Sequence, residues 1–279
     1  MIVRCWGSRG SIAVSGVEFT KYGGDTTCIE VTSASGDLII IDAGTGIRAL
    51  GNKLVKERRL KINMLLTHAH WDHLSGFPFF KPIYIKESEI RVYGPQQTQD
   101  SLKSIISKTM ASPYFPIELE QINADISFSG MGYKDYAIGS VSISMVPLSH
   151  PNHGVGYRLE EAGKSFVFLT DNELSFHHEY GLSYGDYVQF CRDADLLFHD
   201  AEYSKEEYKE TRGWGHSVYT DTVNLALDAG VKCLGLFHQN QERTDKEVEK
   251  IEKECRRMIK ERGSEMKCLA IGVGMEFKL

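Results

Sequence analysis

Apolar positions along this chain alternate between compact runs and helical stripes. Ile2–Trp6, Thr27–Thr32, Leu38–Ile41 and Ile62–Leu66 are β-rich runs bounded by glycine or charged residues, which predicts strands. Between the third and fourth, Ile47, Leu50, Leu54 and Val55 mark one face of an amphipathic helix. Leu102, Ile105, Ile106 and Met110 mark another, which Ser112-Pro-Tyr-Phe-Pro116 stops, because proline lacks an amide donor and disfavours helix in its predecessor. That segment reads as a pocket wall, a dimer contact or a packed loop. A second half begins near Ile126, with strands at Val141–Val146, Val155–Leu159, Phe166–Leu169, Leu196–Phe198 and Val231–Phe237. Its helices run from Val218 to Ala229, with Ser217 as N-cap and Gly230 at C′, and from Asp245 to Arg262 behind a Thr244–Glu247 capping box. Met266–Ile271 supplies a last strand. Strands alternating with helices imply a layered α/β domain, read as one unit over residues 1–279.

Composition excludes some classes. Hydrophobic content of 42% and charged content of 25% are those of an ordinary globular chain, and a net charge of −6 argues against a generic nucleic-acid surface. No apolar run approaches the roughly 20 residues that span a bilayer, and no signal-like segment opens the chain, so a cytoplasmic protein with no membrane partner is expected. Six scattered cysteines without a C-x-x-C pair read as reduced thiols.

The chemistry concentrates in Thr67-His68-Ala69-His70-Trp71-Asp72-His73, directly after a strand. Three imidazoles and a carboxylate in six residues suit Zn²⁺, Mn²⁺ or Fe. One metal would take His68, His70 and a distant histidine; another would take Asp72, His73 and a distant histidine, with a carboxylate bridging. Later strands deliver further candidates at their ends: His150, Asp171, His199-Asp200 and His238. The Gly7-Ser8-Arg9-Gly10-Ser11 tract lacks a P-loop continuation and reads as a loop in which Arg9 could touch an anion.

His68-x-His70-x-Asp72-His73 resembles the signature of the metallo-β-lactamase fold superfamily, and the resemblance extends over essentially the whole chain. It implies a four-layer αββα sandwich. It also implies one metal site of His68, His70 and His150, a second of Asp72, His73 and His238, and Asp171 between them. Asp42 resembles the residue that orients the ligand loop. His150, rather than His153, matches the spacing to the Gly-Tyr-Arg of phosphodiesterase members such as ribonuclease Z; His153 is left to contact substrate or solvent.

The second half is similar to that phosphodiesterase branch. Phe198-His199-Asp200-Ala201-Glu202 resembles its His-Glu-Ala-Thr segment, and Gly215-His216-Ser217 its Gly-His-Ser-Thr. This implies that His216 binds the scissile phosphate and that Asp200 holds its proton and orientation; the plainer readings are a capping neighbour and a structural hydrogen-bonder. His177 and His178 read as surface residues and His199 as structural. The implied reaction is phosphodiester hydrolysis by a hydroxide held between two divalent cations, most simply Zn²⁺, with Asp72 orienting the hydroxide and His216 assisting the leaving oxygen.

The chain lacks the extended basic arm of ribonuclease Z. Its Trp6-Gly-Ser-Arg-Gly-Ser and Trp71–Phe80 stretches look like small bacterial or phage phosphodiesterases, which points to a small anionic substrate, a cyclic mononucleotide. Phe77, Phe79, Tyr114 and Phe115 would wall its base. The alternatives are tRNA 3′-processing in the manner of ribonuclease Z, a lactone, thioester or β-lactam hydrolase, and a non-enzymatic scaffold. The resemblance further implies a homodimer.

Overall fold

Leu38–Ile41 is apolar at every position because both of its faces are covered. It forms the strand β3, buried throughout, in a computed structural model that describes residues 1–95, 102–132 and 135–279. The first sheet contains β1 (Ile2–Gly7), β2 (Cys28–Thr32), β3, β4 (Lys61–Leu65), β5 (Glu89–Pro95), β6 (Asp125–Met131) and β14 (Glu276–Lys278). Their spatial order is β14-β1-β2-β3-β4-β5-β6, with β3 to β6 parallel. The second sheet contains β7 (Tyr136–Ile138), β8 (Val141–Pro147), β9 (Val155–Glu161), β10 (Lys164–Leu169), β11 (Leu196–Asp200), β12 (Cys233–Phe237) and β13 (Lys267–Ala270). It is ordered β13-β12-β11-β10-β9-β8-β7, and β10 to β13 are parallel.

The inner faces meet in one core. Val3, Val31, Ile39 and Ile41 from the first sheet pack with Tyr157, Phe166, Phe168 and Phe198 from the second. Each such side chain contributes about 1.5–3 kcal/mol of burial. Outside the first sheet, α1 (Ile47–Glu57) and α3 (Leu102–Thr109) bury Leu50, Leu54 and Ile106 with Ile40 and Met64. Outside the second, α4 (Tyr184–Cys191), α6 (Tyr219–Asp228) and α7 (Asp245–Glu261) bury Cys191, Val223 and Ile259 against Val167 and Leu197. The expected αββα sandwich is therefore the fold. No helix among the described residues is long and apolar enough to cross a membrane.

Several local expectations change. The second half does not begin at Ile126, because β6 pairs in parallel with β5 and edges the first sheet. Ser217 does not cap α6; Val218 occupies that position, and the Ser217 hydroxyl donates to the Asn172 carbonyl instead. The Thr244–Glu247 capping box is present, and Gly230 takes the left-handed conformation expected after α6. Short strands such as β7 and β14 carry too few apolar positions to stand out from the sequence.

Candidate active site

Parallel strands place their carboxyl ends along one edge of each sheet, and the loops leaving those ends carry the site. Asp42 follows β3, and Thr67 to His70 follow β4. Asp72 and His73 sit on α2 (Trp71–Leu74), the turn that closes the histidine loop. From the other sheet, His150 follows β8, Asp171 follows β10, Asp200 ends β11 and His238 follows β12. Asp42, Asp171 and His238 all adopt left-handed backbone, with φ of 62°, 52° and 57°. Side chains other than glycine rarely hold that conformation except where the surroundings enforce it. Gly44 permits the close packing, since a Cβ there would lie 2.2 Å from the Asp72 carbonyl oxygen.

All seven residues singled out as metal ligands converge. His68, His70, His150 and Asp171 form one group of donor atoms lying within 4.8 Å of one another; Asp72, His73, Asp171 and His238 form a second, so Asp171 is shared. His70 Nδ1 and His150 Nε2 are 3.1 Å apart, close to the ~3.3 Å edge of a tetrahedron with bonds of about 2.0–2.1 Å. His73 Nε2 lies 3.3 Å from both Asp72 Oδ2 and Asp171 Oδ1, and His238 Nε2 lies 3.1 Å from Asp72 Oδ2. The ring atoms His68 Nε2 and His73 Nε2 are buried without a hydrogen-bond partner, which a coordinated cation would satisfy. The donor set fits two divalent cations.

Their surroundings fix the rings. Asp42 Oδ2 is 2.7 Å from His73 Nδ1, and its carboxylate accepts the Thr67 amide and hydroxyl. His150 Nδ1 donates to the Gly215 carbonyl, and His238 Nδ1 to Glu202 Oε2 at 2.8 Å. Such partners select the tautomer that leaves the other nitrogen free to coordinate. The Ser11 amide donates to Asp72 Oδ2.

The electrostatics agree. Burial holds His68 and His70 below the ordinary histidine range and takes His150 down to about 3, so these rings are neutral. Burial opposes the charging of His73 and His238 as well. Asp72, Asp171 and Asp42 around the first, and Asp171, Asp72 and Glu202 around the second, nevertheless push both well above that range. The basin is electronegative, and protons on these two rings answer charge that divalent cations would answer.

His216 stands beside the cluster. Its ring stacks on His238 at 4.7 Å, and its Nδ1 is 2.7 Å from Asp200 Oδ2. Burial lowers its affinity for a proton, but Glu202 and Asp200 outweigh this and raise its pKa to about 9. Asp171, Asp200, His216 and His238 also lie close enough to form a third donor group. Asp200 is already committed, however: Oδ1 accepts the Glu202 and Ser217 amides while Oδ2 faces His216. The pair is better suited to proton handling than to coordination.

Other expectations divide. His199 is buried against Asn172 and the Asp200 carbonyl, as a structural residue would be. His153 lies outside the cluster, its ring tilted against that of Tyr180 with centroids 3.9 Å apart. His177 is exposed, whereas His178 is half-buried and bonded to Glu173, so it is not a plain surface residue. Arg9 touches no substrate-facing surface: it is fully buried and donates to the carbonyls of Gly23, Asn240 and Arg243. Phe77 cannot wall a pocket because it is buried under the first sheet. Phe79, Tyr114 and Phe115 do line one, a cavity of about 750 Å³ shared with Trp71 and Leu74 next to the histidine loop. Sequence reading gave no role to Glu202, although it lies two residues beyond Asp200. Glu173, two beyond Asp171, was also missed.

Comparison with known proteins bears on the fold and the family. Ribonuclease Z of Lactiplantibacillus plantarum is 22% identical over 279 residues, covering 84% of this chain and 87% of that protein. The metallo-β-lactamase fold protein YhfI of Bacillus subtilis superposes with a TM-score of 0.72 at 14% identity, over 99% of this chain and 98% of that one. A diphosphatase of the PhnP family superposes with a TM-score of 0.71 at 17% identity, over 100% and 97%. The family model described as beta-lactamase superfamily domain matches residues 38–239, from β3 through the last proposed ligand, His238. The chain belongs to that family.

Proposed function

We propose that the protein is a dinuclear-metal phosphodiesterase acting on a small phosphodiester, a cyclic mononucleotide. His68, His70 and His150 would hold one cation, Asp72, His73 and His238 the other, with Asp171 shared, and zinc best suits this nitrogen-rich set. When bound, the two cations supply Lewis-acid charge to the phosphoryl oxygens and ease deprotonation of water. The observation that carries the reading is the His216–Asp200 pair, 2.7 Å apart and set against the cluster. Asp200 accepts from His216 Nδ1 and thereby fixes the ring, so that Nε2 is the nitrogen offered to substrate. Protonated His216 binds a phosphoryl oxygen and gives its proton to the departing ester oxygen. Asp72, held by the Ser11 amide, orients the attacking water. A carboxylic ester or lactone would use the pair only at its leaving oxygen, whereas a phosphodiester also offers protonated His216 an anionic phosphoryl oxygen to bind.

The apolar cavity beside Trp71 supports a substrate carrying an aromatic base, since rings stack on such walls. Trp71→Ala is expected to raise KM for a nucleotide by about 10-fold, as the loss of one stacking contact of roughly 1–3 kcal/mol implies. The relatives named ribonuclease Z favour RNA as a second reading, for which turnover would fall steeply with salt. The likeness to the phosphodiesterase branch also carries a homodimer into the proposal, which sedimentation would test. Zinc-loaded protein incubated with cyclic mononucleotides, precursor tRNA, lactones and thioesters should yield nucleoside monophosphates. Hydrolysis confined to lactones or thioesters would overturn the proposal.

A further inference from the structure

Glu173 is a carboxylate 1% exposed, two residues beyond the shared ligand Asp171, and the mechanism above gives it no task. Every partner of its side chain is a donor. Oε1 accepts from the hydroxyl of Tyr208, the first residue of the short α5 (Tyr208–Thr211), at 2.6 Å and from the Gly213 amide at 2.7 Å. Oε2 accepts from the Gly215 amide at 2.7 Å and from His178 Nε2 at 2.9 Å. Two of these donors are backbone amides of the segment that ends in His216. The same segment presents the Gly215 carbonyl to His150 Nδ1 at 3.0 Å. It has little room to drift, because Gly215 has φ of 98° and a Cβ there would lie 2.0 Å from His150 Nδ1. The turn bearing Glu173 is itself anchored, its amide donating to the Ser149 carbonyl and the Asn172 carbonyl accepting from Ser217.

We infer that Glu173 is a positioning residue: it clamps the 213–216 segment, and through that segment it sets His216 over the phosphodiester. The inference rests on the function proposed above for His216. A buried carboxylate earns its place where it meets several donors at once, and an amide cannot replace it here. In Glu173→Gln, either orientation of the new side chain sets an NH₂ group against one of the two glycine amides.

The test combines hydrogen exchange with a double-mutant cycle. In Glu173→Gln, the Gly213 and Gly215 amides should exchange faster while the strands keep their protection. Turnover of a phosphodiester should fall about 10- to 100-fold with metal content unchanged. In a His216→Ala background the same substitution should cost almost nothing more, because the residue it positions is gone. Equal losses in both backgrounds, or unchanged exchange at the two glycines, would overturn the inference. Should Glu173→Gln fail to fold, Tyr208→Phe removes one donor and should produce a smaller change of the same kind in both readouts; no change would overturn the inference. If wild-type protein hydrolyses no phosphodiester, the functional reading falls and the inference with it, while glycine exchange still reports whether the clamp exists.

Discussion

The two sheets furnish the site in different ways. The first delivers His68, His70, Asp72 and His73 from one loop and the turn after it, so a single local stretch carries four of the seven proposed ligands. The second delivers His150, Asp171, Asp200 and His238 singly, from four strand ends, and His216 from the loop before α6. Their supporting residues differ too. Asp42 serves His73 and the loop behind it, whereas Glu202 lies 2.8 Å from His238 Nδ1 and 3.4 Å from His216 Nδ1, so it touches both a ligand and the proposed acid. On the proposed mechanism the first half is specialised for holding metal, and the second joins metal binding to proton transfer.

Breaking that division should have graded effects. The largest is expected from Asp171→Asn, which weakens the one donor common to both groups: metal content by elemental analysis should fall at both sites, and turnover should drop to that of chelator-treated protein. His216→Ala should leave both cations in place while lowering kcat by about 10²–10⁴-fold. Its pH dependence follows from a folded-state pKa raised to about 9 by Asp200 and Glu202 against the cost of burial. The protonated acid is present below that value and is lost as pH rises through it. Bound cations draw the value down, so the alkaline limb of kcat should fall at or below about pH 9, and His216→Ala should abolish that limb.

A smaller and more discriminating effect separates the two supporting carboxylates. Asp42→Asn and Glu202→Gln should each weaken metal binding by about 10- to 100-fold. At saturating metal, Asp42→Asn should recover most of its kcat, but Glu202→Gln should not, because Glu202 also faces His216. Equal recovery would erase the distinction between the halves. The smallest effect is remote from the chemistry: Thr244→Ala removes the capping box of α7 and should cost about 1 kcal/mol of stability, read as a lower Tm, with kcat unchanged.

The same contrast governs what could be read from the sequence. The loop from Thr67 to His73 is legible because its donors are neighbours, and the strand before it is a plain apolar run. His150, Asp171 and His238 stand out as candidates because each follows a strand, but only the family resemblance sorts them into two sites, since nothing in their local spacing brings them together. Glu202 and Glu173 were not assigned because a buried carboxylate looks like any surface acid until its donors are located. Arg9 misled for the converse reason: a charged residue in a glycine-rich loop reads as exposed, whereas its guanidinium is buried and held by three backbone carbonyls. Phe77 and Phe79 are two residues apart in one short turn, and only packing reveals that the first faces core and the second the cavity.

The central claim is that His216, held by Asp200 beside a two-metal cluster, protonates the leaving oxygen of a phosphodiester. The most direct test compares wild-type and His216→Ala turnover for two phosphodiesters that differ in their leaving group, one an alkoxide and the other p-nitrophenolate. The alkoxide substrate should lose roughly the full 10²–10⁴-fold of general-acid assistance, and the p-nitrophenyl substrate, whose leaving group needs no proton, far less. Equal losses on both substrates would contradict the account.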